Sequence, residues 1–206
     1  MPLVRKPRGA SRAAPATTGI EEGLSSHSEE ERWAAARAAT GKPECAAPLA
    51  AALRVEAAER VREAMFTSLA GMGHAGVAGV LPLLRSDDAS LRTGALDALR
   101  ILVRGAPDLL PPLLEDRDVD IRILSCELAR ALPGDEATRL LCRLLQDEQE
   151  LNVCAAAVDV LAEVGQGEAL PFLAACAARF HDKPFLAFAI QVATDRISVQ
   201  PALPRG

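Results

Sequence analysis

The chain has no tyrosine, one tryptophan and five phenylalanines, so aromatics make up only 3% of its 206 residues. A core without large rings must be filled by small and medium aliphatic side chains, and alanine and leucine dominate here. That suits close helix–helix packing and disfavours a β-sandwich, which draws on β-branched and aromatic residues. No apolar run reaches the length of a transmembrane helix, and the amino terminus lacks the apolar middle segment of a secretory signal. The cysteines are odd in number (Cys45, Cys126, Cys142, Cys154 and Cys176) and form no CxxC pair. Set among alanines and leucines in expected helices, they read as small buried hydrophobes in a reducing cytoplasm.

Motifs for chemistry are also lacking. His27, His74 and His181 stand at no metal-ligand spacing with another ligand, and there is no HExxH and no His-Glu dipeptide. Gly71-Met72-Gly73-His74 joins two expected helices rather than a strand and a helix, so it reads as a helix stop and not a phosphate loop. No Gly-x-Ser-x-Gly elbow occurs. The sequence therefore nominates no catalytic residue, no metal and no cofactor.

Charge is unevenly spread. Arg5, Lys6, Arg8 and Arg12 give residues 1–20 a charge of +4 with no acid, leaving about −9 on the remainder of a chain whose net charge is −5. An acidic body argues against broad nucleic-acid binding, which needs a basic stripe to displace counterions. The prolines at 2, 7 and 15 spoil an amphipathic targeting helix, and 1–17 reads as a disordered basic tail. Residues 198–206, with two prolines, read as a disordered end, leaving one domain over 18–197.

What the chain does have is a count of thirty. Arg32, Arg62, Arg92 and Arg122 recur at that spacing, each opening a helical stretch behind an apolar residue (Val61, Leu91 and Ile121 in the last three), and Asn152 behind Leu151 continues it. Between them lie leucine-rich segments in which Leu53, Leu83, Leu113 and Leu173 keep the same register, while position 143 is an arginine with Leu144 beside it. Leu91, Ala95, Ala98, Leu99 and Leu102 form one stripe at helical spacing. Thr18 with Glu21 and Ser28 with Glu31 look like capping boxes. The first opens a short half-repeat, the second a helix to about Thr40 that Gly41 stops. Gly73, Gly134 and Gly165 are expected to end helices. A fixed period of this length marks a stack of helix pairs. The last helix, from Pro184 to Ile197 with Phe185, Phe188, Ile190 and Val192, departs from the pattern and is expected to close the core.

The phrase LPLLRSDDASLRTGALDALRIL, Leu81 to Leu102, resembles a unit of the HEAT-repeat family in the bacterial form called PBS-lyase HEAT-like repeats, and 110–132 and 140–164 repeat it with drift. The resemblance covers roughly 28–197. It implies an all-α, right-handed α-α superhelix of about five helix pairs plus an N-terminal half-repeat. It also implies a structural ladder of turn aspartate and helix arginine, matched by Asp88 with Arg92 and by Asp118 with Arg122. Ala58 stands opposite Arg62 at that spacing, and Glu148 opposite Asn152. The deoxyhypusine hydroxylases of this type hold iron with His-Glu pairs, absent here. The HEAT-like DNA glycosylases need a basic, aromatic groove that this chain does not supply. The phycobilin lyases share these repeats, so a chromophore lyase or a subunit of one is the alternative to a binding role.

Such arrays bind on the concave face lined by the second helix of each pair. If the stripe from Leu91 to Leu102 faces the core, Thr93, Asp97 and Arg100 face away from it. Carried by thirty, these positions nominate Trp33, Arg37, Glu63, Thr93, Asp97, Arg100, Ile123, Glu127, Arg130, Val153 and Val160 as partner-binding residues. The middle of that face is charged and its ends are apolar, as at partner sites. The competing possibility is that Ile123, Val153 and Val160 are core, with the helix phase off by one position. The reading is a small, cytoplasmic, non-catalytic adaptor for a protein partner in bacterial signalling or assembly, with a monomer slightly favoured.

Overall fold

A computed structural model describes residues 18–199, and among them there are twelve α-helices and no strand. They pair in sequence. α1 (Thr18–Leu24) lies with α2 (Glu29–Ala38), α3 (Ala46–Leu53) with α4 (Glu59–Ala70), and α5 (Gly73–Val80) with α6 (Ala89–Gly105). α7 (Leu110–Leu114) lies with α8 (Val119–Leu128), α9 (Gly134–Asp147) with α10 (Leu151–Val164), and α11 (Leu170–Arg179) with α12 (Pro184–Val199). Successive second helices, α2, α4, α6, α8, α10 and α12, each touch the next, and behind them α1, α3 and α5 stack in order, as do α9 and α11. The core runs between the two layers and is aliphatic throughout, with Leu49, Leu53, Leu83, Leu99, Leu110, Leu141 and Leu161 among its largest fully buried side chains. No helix among the described residues is long and apolar enough to cross a membrane.

The start of the second helix is built on one plan in the first four pairs. Ser28, Asp88 and Asp118 cap α2, α6 and α8 by accepting backbone N–H bonds of the first turn. Two residues upstream a second acceptor takes the N–H of the cap residue itself: Ser26 Oγ at 3.0 Å, Glu56 Oε1 at 2.9 Å, Ser86 Oγ at 3.2 Å and Asp116 Oδ1 at 2.8 Å. Four residues beyond the cap stands the recurring arginine. Its guanidinium donates to the carbonyl six residues behind it: Arg32 to Ser26 O (3.0 Å), Arg62 to Glu56 O (2.6 Å), Arg92 to Ser86 O (2.7 Å) and Arg122 to Asp116 O (2.9 Å). The arginine thus satisfies carbonyls of the turn that joins the paired helices.

In the fifth pair the count slips by two. The cap of α10 is Glu150, whose N–H goes to Glu148 Oε1 at 2.9 Å. Four residues beyond it stands not Asn152 but Cys154, and its thiol donates to the carbonyl six residues behind, Glu148 O at 3.6 Å. The extra residues lie before Leu145, which is buried in the place of Leu53, Leu83 and Leu113, while Arg143 is exposed. α9 has fourteen residues where α3 and α5 have eight, and it absorbs the insertion.

Other expectations shift with it. Gly41 does follow α2 in a left-handed conformation (φ 72°), but Gly73 (φ 54°) and Gly134 open helices rather than end them. α12 runs on to Val199, so 198 and 199 belong to the helix. The tail over 1–17 and the end over 200–206 lie outside the described residues. Leu186, Ile190, Ala193 and Ile197 turn inward from α12, whereas Phe185 and Phe188 are 75% and 69% exposed. The final helix buries one face and leaves those two rings outside.

Candidate interaction face

The second helices present a continuous surface, and the positions one, five and eight residues past the arginine lie on it through the first four pairs. Glu63, Thr93, Thr67, Asp97, Arg37 and Arg100 are exposed, and Trp33, Ile123, Glu127 and Arg130 are partly so. Val153 and Val160 are fully buried, as is Ala157 between them. The two-residue slip explains this. Val153 is the counterpart of Val61, Leu91 and Ile121, and Val160 that of Ser68, Ala98 and Leu128, all of them core positions. Neither valine is therefore part of a docking surface. The outward positions of the fifth pair are Ala155 and Asp159 instead, while the third, Ala162, is buried.

Glu63, Thr93 and Asp97 come together. They line a groove of about 590 Å³ between α4 and α6 with Glu59, Phe66, Thr67, Gly94, Ala98 and Ile101. Its floor exists because Gly94 has no side chain. A Cβ there would stand 2.3 to 2.8 Å from three ring carbons of Phe66, so the ring occupies that space. Ile101 is 57% exposed at the edge, which is unusual for so large an aliphatic side chain. The rim is acidic. Asp97 pairs with Arg100 at 2.7 Å, while Glu59 and Glu63 form no ion pair among the described residues.

Arg130 has a different role. It binds Glu127 on its own helix (2.9 Å), and Asp159 (2.6 Å) and Glu163 on α10. Burial opposes its charge, but hydrogen bonds to these three carboxylates outweigh that and raise its pKa. It fastens α8 to α10 and is not open to a partner. At the other end, the guanidinium groups of Arg60 and Arg37 lie over the Trp33 ring at 4.4 and 5.1 Å, so this aromatic is already engaged by its own chain.

The ladder also differs from the spacing implied by the resemblance. Asp88 and Asp118 do not pair with Arg92 and Arg122 of their own helices. Three of the four arginines reach forward to the next turn: Arg32 to Glu56 (2.7 and 3.0 Å), Arg62 to Asp88 (3.2 Å) and Arg122 to Glu148 (2.7 and 3.2 Å). Arg92 makes no such link, because Asp118 is taken by Arg85, at the end of the 3-10 turn that follows α5 (Nε at 2.9 Å). The bidentate hydrogen bonds from Arg32 hold Glu56, which is 5% exposed, below the usual carboxylate range. For Glu148, burial works against the charge, and Arg122 with the backbone N–H groups of Glu150 and Gln149 overcomes it. Asp88 is lowered first by the Ser90 N–H, and Asp118 first by Arg85.

Sequence reasoning missed Phe66, Gly94 and Ile101. Phe66 and Gly94 occupy different positions in the thirty-residue unit and meet only because neighbouring second helices are packed side by side. Ile101 carried a usable signal, as a large aliphatic residue directly after Arg100 and off the buried stripe.

Residues 106–192 match the family model of HEAT repeats. No curated protein matches the chain. Among solved structures it is similar to two engineered proteins of the Northeast Structural Genomics Consortium. One has 17% identity and a TM-score of 0.40, over 87% of this chain and 95% of that one. The other has 18% identity and a TM-score of 0.40, over 88% and 98%. It is also similar to the complex of CpcE and CpcF of phycocyanin lyase from Nostoc sp. PCC7120, with 16% identity and a TM-score of 0.36 over 95% of this chain and 100% of that one. The matched segment runs from the turn before α7 into α12, and the helix pairs before it carry the same arginine and leucine positions.

Proposed function

We propose that this protein is a non-catalytic adaptor that seats a protein partner on the face of its second helices, with the groove between α4 and α6 as the central contact. The observation that carries this is the groove itself: an apolar floor of Phe66, Gly94 and Ala98, an exposed Ile101, and a rim of Glu59, Glu63 and Asp97. An apolar centre with a polar rim is the arrangement of protein contact sites. The rim fits a partner segment with arginine or lysine flanking an aliphatic side chain. Helical-repeat arrays present extended surfaces of this kind.

The test is affinity purification from the source organism with the full chain, Ile101→Asp, and Arg54→Ala as a control on an exposed site outside the groove. A partner retained by the natural chain and Arg54→Ala but lost with Ile101→Asp supports the reading. A partner held equally by all three places the contact elsewhere. Arg130→Ala is unsuited to this test because Arg130 joins α8 to α10.

A further inference from the structure

α12 carries two apolar stripes. Leu186, Ile190, Ala193 and Ile197 follow one another at steps of three and four residues, and all four are buried against the array. Phe185, Phe188, Val192, Asp195 and Val199 keep the same steps on the opposite side of the helix. Phe185, Phe188 and Val199 are exposed there, with Val192 half-buried between them. Five large hydrophobic side chains are exposed among the described residues, and three of them stand on this one stripe. Inside the array the next second helix covers such a side, as α12 covers α10. No later helix follows α12 among the described residues.

We propose that this stripe is a homodimer interface, against which α12 of a second copy lies antiparallel. The two ends of the array select a second copy. A terminal unit of a repeat array needs a polar outer face to stay in solution. The first unit has one, since α1 exposes Thr18, Glu21, Glu22 and Ser25, and the last unit does not. Head-to-tail stacking would set the two rings against those acids and leave another pair of rings bare. A two-fold contact sets apolar side against apolar side and closes. Steps of three and four residues are also the seam of paired helices. With Phe188 opposite the second copy's Val192, an antiparallel pair brings Arg196 beside the second copy's Phe185, a cation next to a ring. Asp195 then falls at the wet ends of the seam, where Gln191 Nε2 already donates to it at 2.8 Å.

The area is of the order a dimer needs. A buried phenylalanine side chain covers about 200 Å², so the two rings, 75% and 69% exposed, offer about 300 Å² in each copy and about 600 Å² in the pair. That is half of the roughly 1,200 Å² at which stable interfaces begin. Val192, Val199 and the stem of Arg196 add to it from the same side of α12, and the adjoining α11 exposes Ala174, Ala175 and Ala178, which carry no charge. The pairing is independent of the α4–α6 groove. α4 and α6 belong to the second and third pairs and α12 to the sixth, so each copy keeps its groove and a dimer presents two. A partner with two basic segments would gain avidity from that doubling.

The test is the mass of the full chain in solution, followed by sedimentation and light scattering over a concentration series. The expected result is a 21.7 kDa species that converts to twice that mass as concentration rises. Phe188→Asp should raise the dissociation constant about a hundredfold, as at a central contact. Phe185→Asp combined with it should leave only the monomer, and Arg196→Ala should weaken the dimer several-fold. Val55→Asp, on an exposed side chain outside α12, should leave the dimer unchanged. Both rings are exposed, so the variants should keep the helical circular dichroism of the natural chain. A natural chain that stays at 21.7 kDa up to about 100 µM would overturn the proposal, whatever else covers the stripe, and that result needs no variant. A dimer that survives the double substitution would place the contact elsewhere and overturn it equally.

Discussion

Between Ser26 and Glu148 each turn joining paired helices is closed by a guanidinium, and in three of four cases the same side chain reaches an acid of the following pair. After Glu148 a thiol stands in that place, and the charge comes back from α11 through Arg179. The first region is fastened forward, pair to pair, by ions. Beyond Arg130, whose ion pairs tie α10 back to the end of α8, the second is packed by apolar contact, with α10 buried on several faces between α8, α9 and α12. In an array where each unit meets only its neighbours, stability is the sum of such links. The chain therefore joins its units in two different ways.

The comparison is broken most sharply at Arg122. Arg122→Ala strands Glu148, a carboxylate with 7% side-chain exposure, and should cost about 3 kcal/mol by chemical denaturation, the low end expected for breaking a buried pair. The same link makes the array acid-sensitive. Glu56, Asp88, Asp118 and Glu148 are all held below their ordinary pKa values, so the unfolded chain takes up protons first. Their contribution is complete above the unfolded carboxylate values near ~4 and fades as pH falls through that range toward the folded values. A denaturation series from pH 7 to pH 3 should show that decline, and Glu148→Gln should flatten it. A flat profile in the natural chain would mean that the forward links contribute nothing.

Gly94 offers a change of sign. Gly94→Ala displaces the Phe66 ring and should destabilise by about 1 kcal/mol despite alanine's better helix propensity. In a Phe66→Ala background the same change should stabilise by up to about 1 kcal/mol, and a double-mutant cycle reads the difference. Ala58 is a second helix start without a side-chain cap of its own, and Ala58→Ser should raise the denaturation midpoint by about 0.5–1 kcal/mol. The smallest effect belongs to Arg92, which lacks a forward acid. Arg92→Ala should cost well under the Arg122 value, about 1 kcal/mol or less. Equal losses at Arg92 and Arg122 would show that the forward link adds nothing.

Much of this was legible in the sequence. The alternation of leucine helix and arginine helix fixed the fold, and counting onward from the arginine found Glu63, Thr93 and Asp97, three residues of one groove. The slip at α10 was not legible, and the reason is physical. Leu151-Asn152 imitates the apolar–polar pair that opens the earlier helices, while the true counterparts are Val153-Cys154. Because α10 is apolar nearly all round, its periodicity does not favour one phase over the other. The ladder misled for a related reason. Asp88 and Arg92 are close in sequence, but the partner of Arg62 is twenty-six residues ahead, in a turn that only stacking brings near.

The uncompensated rim of the α4–α6 groove has a consequence for time rather than for strength. Glu59 and Glu63 sit in the half of the molecule where cations are already committed, Arg32 and Arg62 to the ladder and Arg60 to Glu30 and Trp33. Two carboxylates left facing solvent at the mouth of a groove set up a field that reaches about 8–10 Å in physiological salt. A basic segment entering that range is steered before it touches anything, so its association rate should fall as salt rises while its dissociation rate, set by the apolar floor, changes little.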